Sequence, residues 1–217
     1  MTTTCRSEMM RKTSIKREQN TFALVVVLIL VSGLVWSCRK EMNIPKPHAY
    51  PRILFPSGNL VLVDQSYCPL KFEFPSYGKI VQDTTFLNEK PGHPCWFTIE
   101  VPALNASLHC SYGKISSKTD FEQYIEDEYK LLSKHNIKAD YRDEKVLKNR
   151  HGVSGMAFEI EGPVASPYQF YFTDTSRHFF RASLYFNAQV NADSTKPALD
   201  FLVRDIRHLQ ETFEWKN

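Results

Sequence analysis

Beyond residue 37 the sequence carries no net charge. Five of its 27 basic residues (Arg6, Arg11, Lys12, Lys16, Arg17) and two of its 24 acidic residues (Glu8, Glu18) precede that point, so 22 of each remain. Without a positive field, the chain has nothing to attract nucleic acid, and no nucleic-acid partner is expected. It also lacks an apolar run of transmembrane length. The longest, Phe22 to Trp36, has 15 residues, whereas a bilayer core about 30 Å thick needs about 20. Cysteine is sparse, and of the five only three follow Cys38, so one stays free whichever pair forms. No internal repeat and no nucleophile-elbow motif is visible.

What is present begins with a leader. Arg11, Lys12, Lys16 and Arg17 precede the short apolar run, which ends at Ser37-Cys38. A basic segment, a short apolar helix and a small residue form a secretory signal. Val35-Trp36-Ser37-Cys38 reads as a lipobox, although Trp36 is bulkier than the residue usual there. Cys38 is then the lipidation site, with residues 1–37 a signal peptide and 1–8 an overcalled start ahead of Met9-Met10. The alternative is an uncleaved anchor. Both place the remaining 180 residues outside the cytoplasm.

Residues 38–50 contain Pro45-Lys46-Pro47 and read as an extended, lipid-attached tether. Residues 51–217 suffice for one globular domain. Alternation of period two predicts a strand at Ala106–Gly113, with Ala106, Leu108, Cys110 and Tyr112 on the apolar side. Further strands are predicted at Trp96–Val101, Tyr141–Val146, Val153–Ile160, Tyr168–Thr173 and Phe179–Phe186. Phe121, Tyr124, Ile125, Glu128, Leu131, Leu132 and His135 recur at helical spacing. A second helix carries Leu199, Leu202, Val203, Ile206, Leu209 and Phe213, with Pro197 in its first turn. The fold class is α+β: a single antiparallel sheet meander packed by two amphipathic helices.

Several blocks form a specific pattern. They are Cys68-Pro69-Leu70-Lys71-Phe72-Glu73-Phe74-Pro75, Cys95-Trp96-Phe97 and His109-Cys110-Ser111-Tyr112-Gly113. They continue with Ala165 to Asp174, His178 to Phe186 and Glu211 to Lys216. The chain after Cys38 resembles the gliding-motility lipoprotein GldD family of the Bacteroidetes. The resemblance implies a lipid-anchored envelope component that supports gliding and the linked type IX secretion machinery, with the membrane protein GldE as a neighbour. It implies no catalytic residue and no cofactor. The strand–helix order is similar to PsbP-like domains. Arg39-Lys40-Glu41 is not the acidic run that sends many lipoproteins of that group to the cell surface, so the domain is expected to face the periplasm. The group attaches O-glycans at Asp-Ser/Thr motifs. Asp83-Thr84-Thr85 and Asp193-Ser194-Thr195 make Thr84 and Ser194 candidates.

Cys68 and Cys95 both fall in family-like blocks and are the expected disulfide, closing a turn-rich region in an oxidising compartment. Cys110 reads as core. A zinc site from His93, Cys95, His109 and Cys110 fails, because His109 and Cys110 are adjacent on a strand and point to opposite faces. Ser166, Asp174 and His178 could be written as a nucleophilic triad, but Asp174 reads better as a turn cap. The aromatic strands Tyr168–Phe186 are apolar on both faces and must be covered twice, by helices or by a partner. Tyr171, Phe180 and Tyr185 are therefore candidate partner contacts. The leading reading is a non-enzymatic component; the alternative is an envelope hydrolase or small-ligand-binding lipoprotein, which a pocket with converging polar groups would favour.

Overall fold

The computed structural model describes residues 52–85, 91–136, 139–187 and 192–216. The chain divides into two units, Met1–Ala49 and Tyr50–Asn217. The leader, Cys38 and the tether lie outside the described residues. No described helix is long and apolar enough to cross a membrane.

Among the described residues ten strands and two α-helices follow in the order β1 (Leu60–Val63), β2 (Leu70–Pro75), β3 (Lys79–Gln82), β4 (Phe97–Val101), β5 (Ala106–Lys114), α1 (Lys118–Asn136), β6 (Tyr141–Lys148), β7 (Ser154–Glu161), β8 (Tyr168–Thr173), β9 (His178–Phe186), α2 (Ala192–Thr212) and β10 (Glu214–Trp215). The α+β class and the two helices are as the patterning predicts. The single sheet is not. The strands form a seven-stranded antiparallel sheet, β3-β4-β5-β9-β8-β7-β6, and a separate three-stranded one, β1-β2-β10. The chain makes β3-β4-β5, crosses through α1 to the far edge, and returns as β6-β7-β8-β9 to pair β9 with β5.

That crossover decides how the sheet is covered. Adjacent residues on a strand point to opposite faces. Phe170, Phe172 and Phe180 pack in one core with Leu202, Ile206 and Leu209 of α2 and with Phe72 of β2. Tyr171, Phe179 and Phe158 pack in another with Leu132, Phe121, Tyr124 and Ile125 of α1. One helix therefore lies on each face. The expectation that Tyr171 and Phe180 meet a partner is overturned, because they are 7% and 0% exposed beneath the protein's own helices. Tyr185 stays half-buried.

Phe213 joins the two sheets. Its ring lies 6.5 Å from Phe72, 4.8 Å from Phe172 and 5.1 Å from Phe180. Each buried phenylalanine contributes about 1.5–3 kcal/mol by removal from water. Cys68 and Cys95 are bonded, Cα atoms 4.7 Å apart across a separation of 27 residues. The bridge ties the approach to β2 to the approach to β4. Cys110 is free and buried.

Gly113 seats α1 on the sheet. A Cβ there would stand 2.4 Å from Tyr124 Cζ, so the absent side chain leaves room for the end of the Tyr124 ring to lie against β5. Pro197 sits inside α2, not in its first turn, because the helix already starts at Ala192. Ser194 is consequently helical and part-exposed, not in a turn, whereas Thr84 is exposed in an irregular stretch.

Candidate functional site

The half of the sheet face beside α1, over β4, β5 and β9, is polar. Strand register builds it. Thr98 pairs across from His109, His109 from Ser183, and Ser183 from Gln169. These four form one row perpendicular to four strands, all on the same face. The adjoining row brings Ser111 opposite Arg181, and Arg181 opposite Tyr171. Thr98, Ser183 and Gln169 are buried; His109 reaches solvent.

Two adjoining hollows open over these rows. One, of about 330 Å³, is lined by His109, Ser111, Gln169, Arg181 and Ser183, with Trp96 and Tyr185 as aromatic walls. The other, of about 600 Å³, shares Trp96, Ser111, Leu131 and Arg181 and runs on beneath α1. Sites that take small molecules fall in this size range, roughly 300–1,000 Å³.

Hydrogen bonds fix the floor. Thr98 Oγ1 lies 3.2 Å from Asp83 Oδ2 and 3.0 Å from His109 Nδ1. A hydroxyl has one proton. When Thr98 donates it to the Asp83 carboxylate, His109 Nδ1–H donates to Thr98, and Nε2 is left as an acceptor. Burial lowers the His109 pKa, opposed by the Asp83 charge, so the ring is neutral at neutral pH. Its ring meets Tyr185 edge-on at 5.4 Å. Trp96 Nε1 donates to the Tyr112 carbonyl at 2.9 Å, which holds the indole in place. Gln169 Nε2 approaches the Ser166 carbonyl at 3.4 Å.

The wall on the α1 side carries an unusual pair. Glu128, wholly buried, faces Arg181 Nε at 3.7 Å. Neither carboxylate oxygen of Glu128 has a hydrogen-bond partner among the described residues. Burial pushes its pKa up to about 7, with Arg181 opposing. A part-exposed guanidinium is thus backed by a buried acid to which it makes no hydrogen bond.

The residues weighed as a triad are not brought together. Asp174 accepts the backbone N–H groups of Ser176, Arg177 and His178 at 3.1, 2.7 and 2.8 Å, as a turn cap does. His178 accepts or donates to Tyr112 Oη at 2.7 Å and stacks on Trp215. Ser166 is buried before β8, at the strand end opposite to His178, roughly 20 Å along at strand rise. The residues weighed for zinc are likewise dispersed. His93 Nδ1 accepts from the Cys95 backbone N–H at 3.0 Å, the Cys95 sulfur is in the disulfide, and Cys110 faces the core. Among the described residues no group of three His, Cys, Asp or Glu could hold a metal ion.

Exposed apolar side chains lie elsewhere. Leu60, Val61 and Leu62 of β1 are 52%, 44% and 62% exposed, and Leu54 and Phe55 precede them. Among the described residues β1 is an edge strand, paired only with β2.

Sequence reading missed the row Thr98-His109-Ser183-Gln169, and the signal was present. Glu128 interrupts the apolar stripe of α1, and Ser107, His109 and Ser111 of β5 and Arg181, Ser183 and Tyr185 of β9 put hydrogen-bonding side chains at alternate positions. Which strands are neighbours, and hence that these sets adjoin, required the topology.

Comparison with known proteins gives one family. A family model described as gliding motility lipoprotein GldD matches residues 40–215. No curated protein matches the chain. Among solved structures, the solution structure of cyanobacterial PsbP (CyanoP) from Synechocystis sp. PCC 6803 is similar at 12% identity and a TM-score of 0.40, covering 78% of this chain and 99% of that one. At those values the likeness bears on neither site nor activity. The match over residues 40–215 takes in every described strand and both described helices, and the chain belongs to the gliding motility lipoprotein GldD family.

Proposed function

We propose that this lipoprotein, anchored through lipid on Cys38 and facing the periplasm, supports gliding and the linked type IX secretion machinery by binding and not by turnover. Family membership supports the motility role. The observation that carries the binding part is the row Thr98-His109-Ser183-Gln169, a set of donors and acceptors at the floor of a cleft, the feature expected of the small-ligand-binding alternative, which this reading joins to the motility role.

The burial of Tyr171 and Phe180 supports a partner surface away from β8 and β9. Edge strand β1, with Leu60, Val61 and Leu62 exposed, is where a membrane neighbour such as GldE would dock, because exposed apolar patches and open sheet edges mark interfaces.

One observation favours an envelope hydrolase instead. The chain Asp83-Thr98-His109 leaves Nε2 able to accept a proton. Complementation of a deletion strain separates the two readings. His109→Asn keeps a donor where Nδ1 stands but cannot act as a base. Binding predicts that His109→Asn recovers most of the motility that His109→Ala loses. If His109→Asn is as defective as His109→Ala, at equal abundance, the non-enzymatic reading fails.

A further inference from the structure

The cleft carries a charge that the chain beyond the leader does not. The larger hollow is lined by Lys114, Lys130, Lys134 and Arg181 against a single carboxylate, Asp127. Lys130 is already paired, at 2.8 Å with Glu126 and 3.7 Å with Asp127. Among the described residues no ion pair engages Lys114 or Lys134. Arg181 is different in kind, since it lines both hollows. Glu128 stands 3.7 Å from its Nε and makes no hydrogen bond to it. The terminal guanidinium nitrogens therefore remain for a planar, two-oxygen acceptor, which a carboxylate provides.

The floor excludes an extended peptide as a strand-adding ligand. β4, β5, β9 and β8 are interior strands paired on both sides, so no backbone edge is open to augmentation. Recognition must come from side chains. Those present are hydroxyls, an amide and a neutral imidazole, groups that both donate and accept. Sugar hydroxyls need such partners. Trp96 and Tyr185 supply flat apolar walls against which the C–H face of a pyranose ring can pack. The geometry points to an acidic saccharide as the ligand of this cleft, with its carboxylate on Arg181, its ring against Trp96 and its hydroxyls on Ser111, His109 and Ser183.

This assignment rests on the reading of the cleft as a binding site, and its test is separable from that reading. The full-length lipoprotein in detergent is titrated by calorimetry with N-acetylmuramic acid and galacturonic acid. Neutral N-acetylglucosamine and galactose, and galactose 6-phosphate, are the comparisons. The acids should bind about tenfold tighter than their neutral counterparts, the worth of one charge-assisted bond. Preference for the first acid identifies a cell-wall source and preference for the second an extracellular polysaccharide; either supports the assignment. The double variant E128Q/R181Q removes both charges without leaving one buried alone, and it should abolish the preference while melting as a folded protein. Ser111→Trp fills the cleft and should abolish binding of every sugar. No binding, equal binding of acidic and neutral sugars, binding of the phosphate sugar alone, or a preference that survives in E128Q/R181Q would each overturn the assignment. If Ser111→Trp loses gliding although no acid binds, the saccharide fails and the cleft's role stands. If the acids bind and Ser111→Trp still glides, the reverse holds.

Discussion

Glu128 and Arg181 face each other across the interface of α1 and β9 at 3.7 Å, the carboxylate wholly buried and the guanidinium part-exposed. The folded-state pKa of Glu128 is raised from 4.5 to about 7, chiefly by burial. A raised acid binds its proton more tightly in the folded state. The resulting stability is complete below pH 4.5 and is lost as pH rises through about 7. The loss amounts to roughly 3 kcal/mol. Glu128→Gln should remove this slope and melt above the wild type at pH 8. Parallel Tm–pH curves for the two proteins would refute the assignment.

The aromatic hub gives a second prediction. Phe213→Ala removes the ring that contacts Phe72, Phe172 and Phe180, and should cost about 3–5 kcal/mol in urea unfolding. Phe180→Ala should behave alike, losing function through abundance, because its side chain is wholly buried. A stable, abundant Phe180→Ala protein that fails only in partner capture would restore the discarded contact role.

Much of this was legible in the sequence. The period-two pattern of Ala106 to Tyr112 and the helical spacing of Phe121 to Leu132 place β5 and α1 correctly, because each pattern follows from local geometry. The double-sided apolarity of Tyr168–Phe186 was legible as well, but its cover was not. Whether a helix or a partner lies over Tyr171 depends on which way the β5–β6 crossover passes, a non-local choice. The separate sheet was hidden for a similar reason. β10 is only Glu214–Trp215, too short for a period, and pairs with Lys71 and Leu70 far earlier in the chain.

The Cys68–Cys95 bridge closes a separation of 27 residues, and by loop entropy stabilises by roughly 3–4 kcal/mol. The Cys68→Ser, Cys95→Ser double variant should melt lower by that margin. Burial pushes the Cys110 thiol well up, so iodoacetamide should reach it only after unfolding. Rapid alkylation of Cys110 in the folded protein would contradict its placement in the core.

At the β1 edge, Leu62→Asp should leave stability unchanged, since Leu62 is 62% exposed, yet reduce crosslinking to membrane partners. Undiminished crosslinking would remove β1 from the interface. For the proposed glycans, Thr84 is exposed outside any helix whereas Ser194 lies in α2. Intact mass should therefore fall by one glycan in Thr84→Ala and remain unchanged in Ser194→Ala.

The central claim is that the cleft between α1 and the β4-β5-β9 face does this protein's work by holding a ligand. The most direct measurement is colony spreading of a deletion strain complemented with Ser111→Trp, scored at matched abundance. Ser111 is half-buried at the junction of the two hollows, so an indole there blocks both without entering the core. The account predicts a folded, abundant protein that does not restore spreading. A folded, abundant Ser111→Trp protein that spreads like the wild type would contradict it.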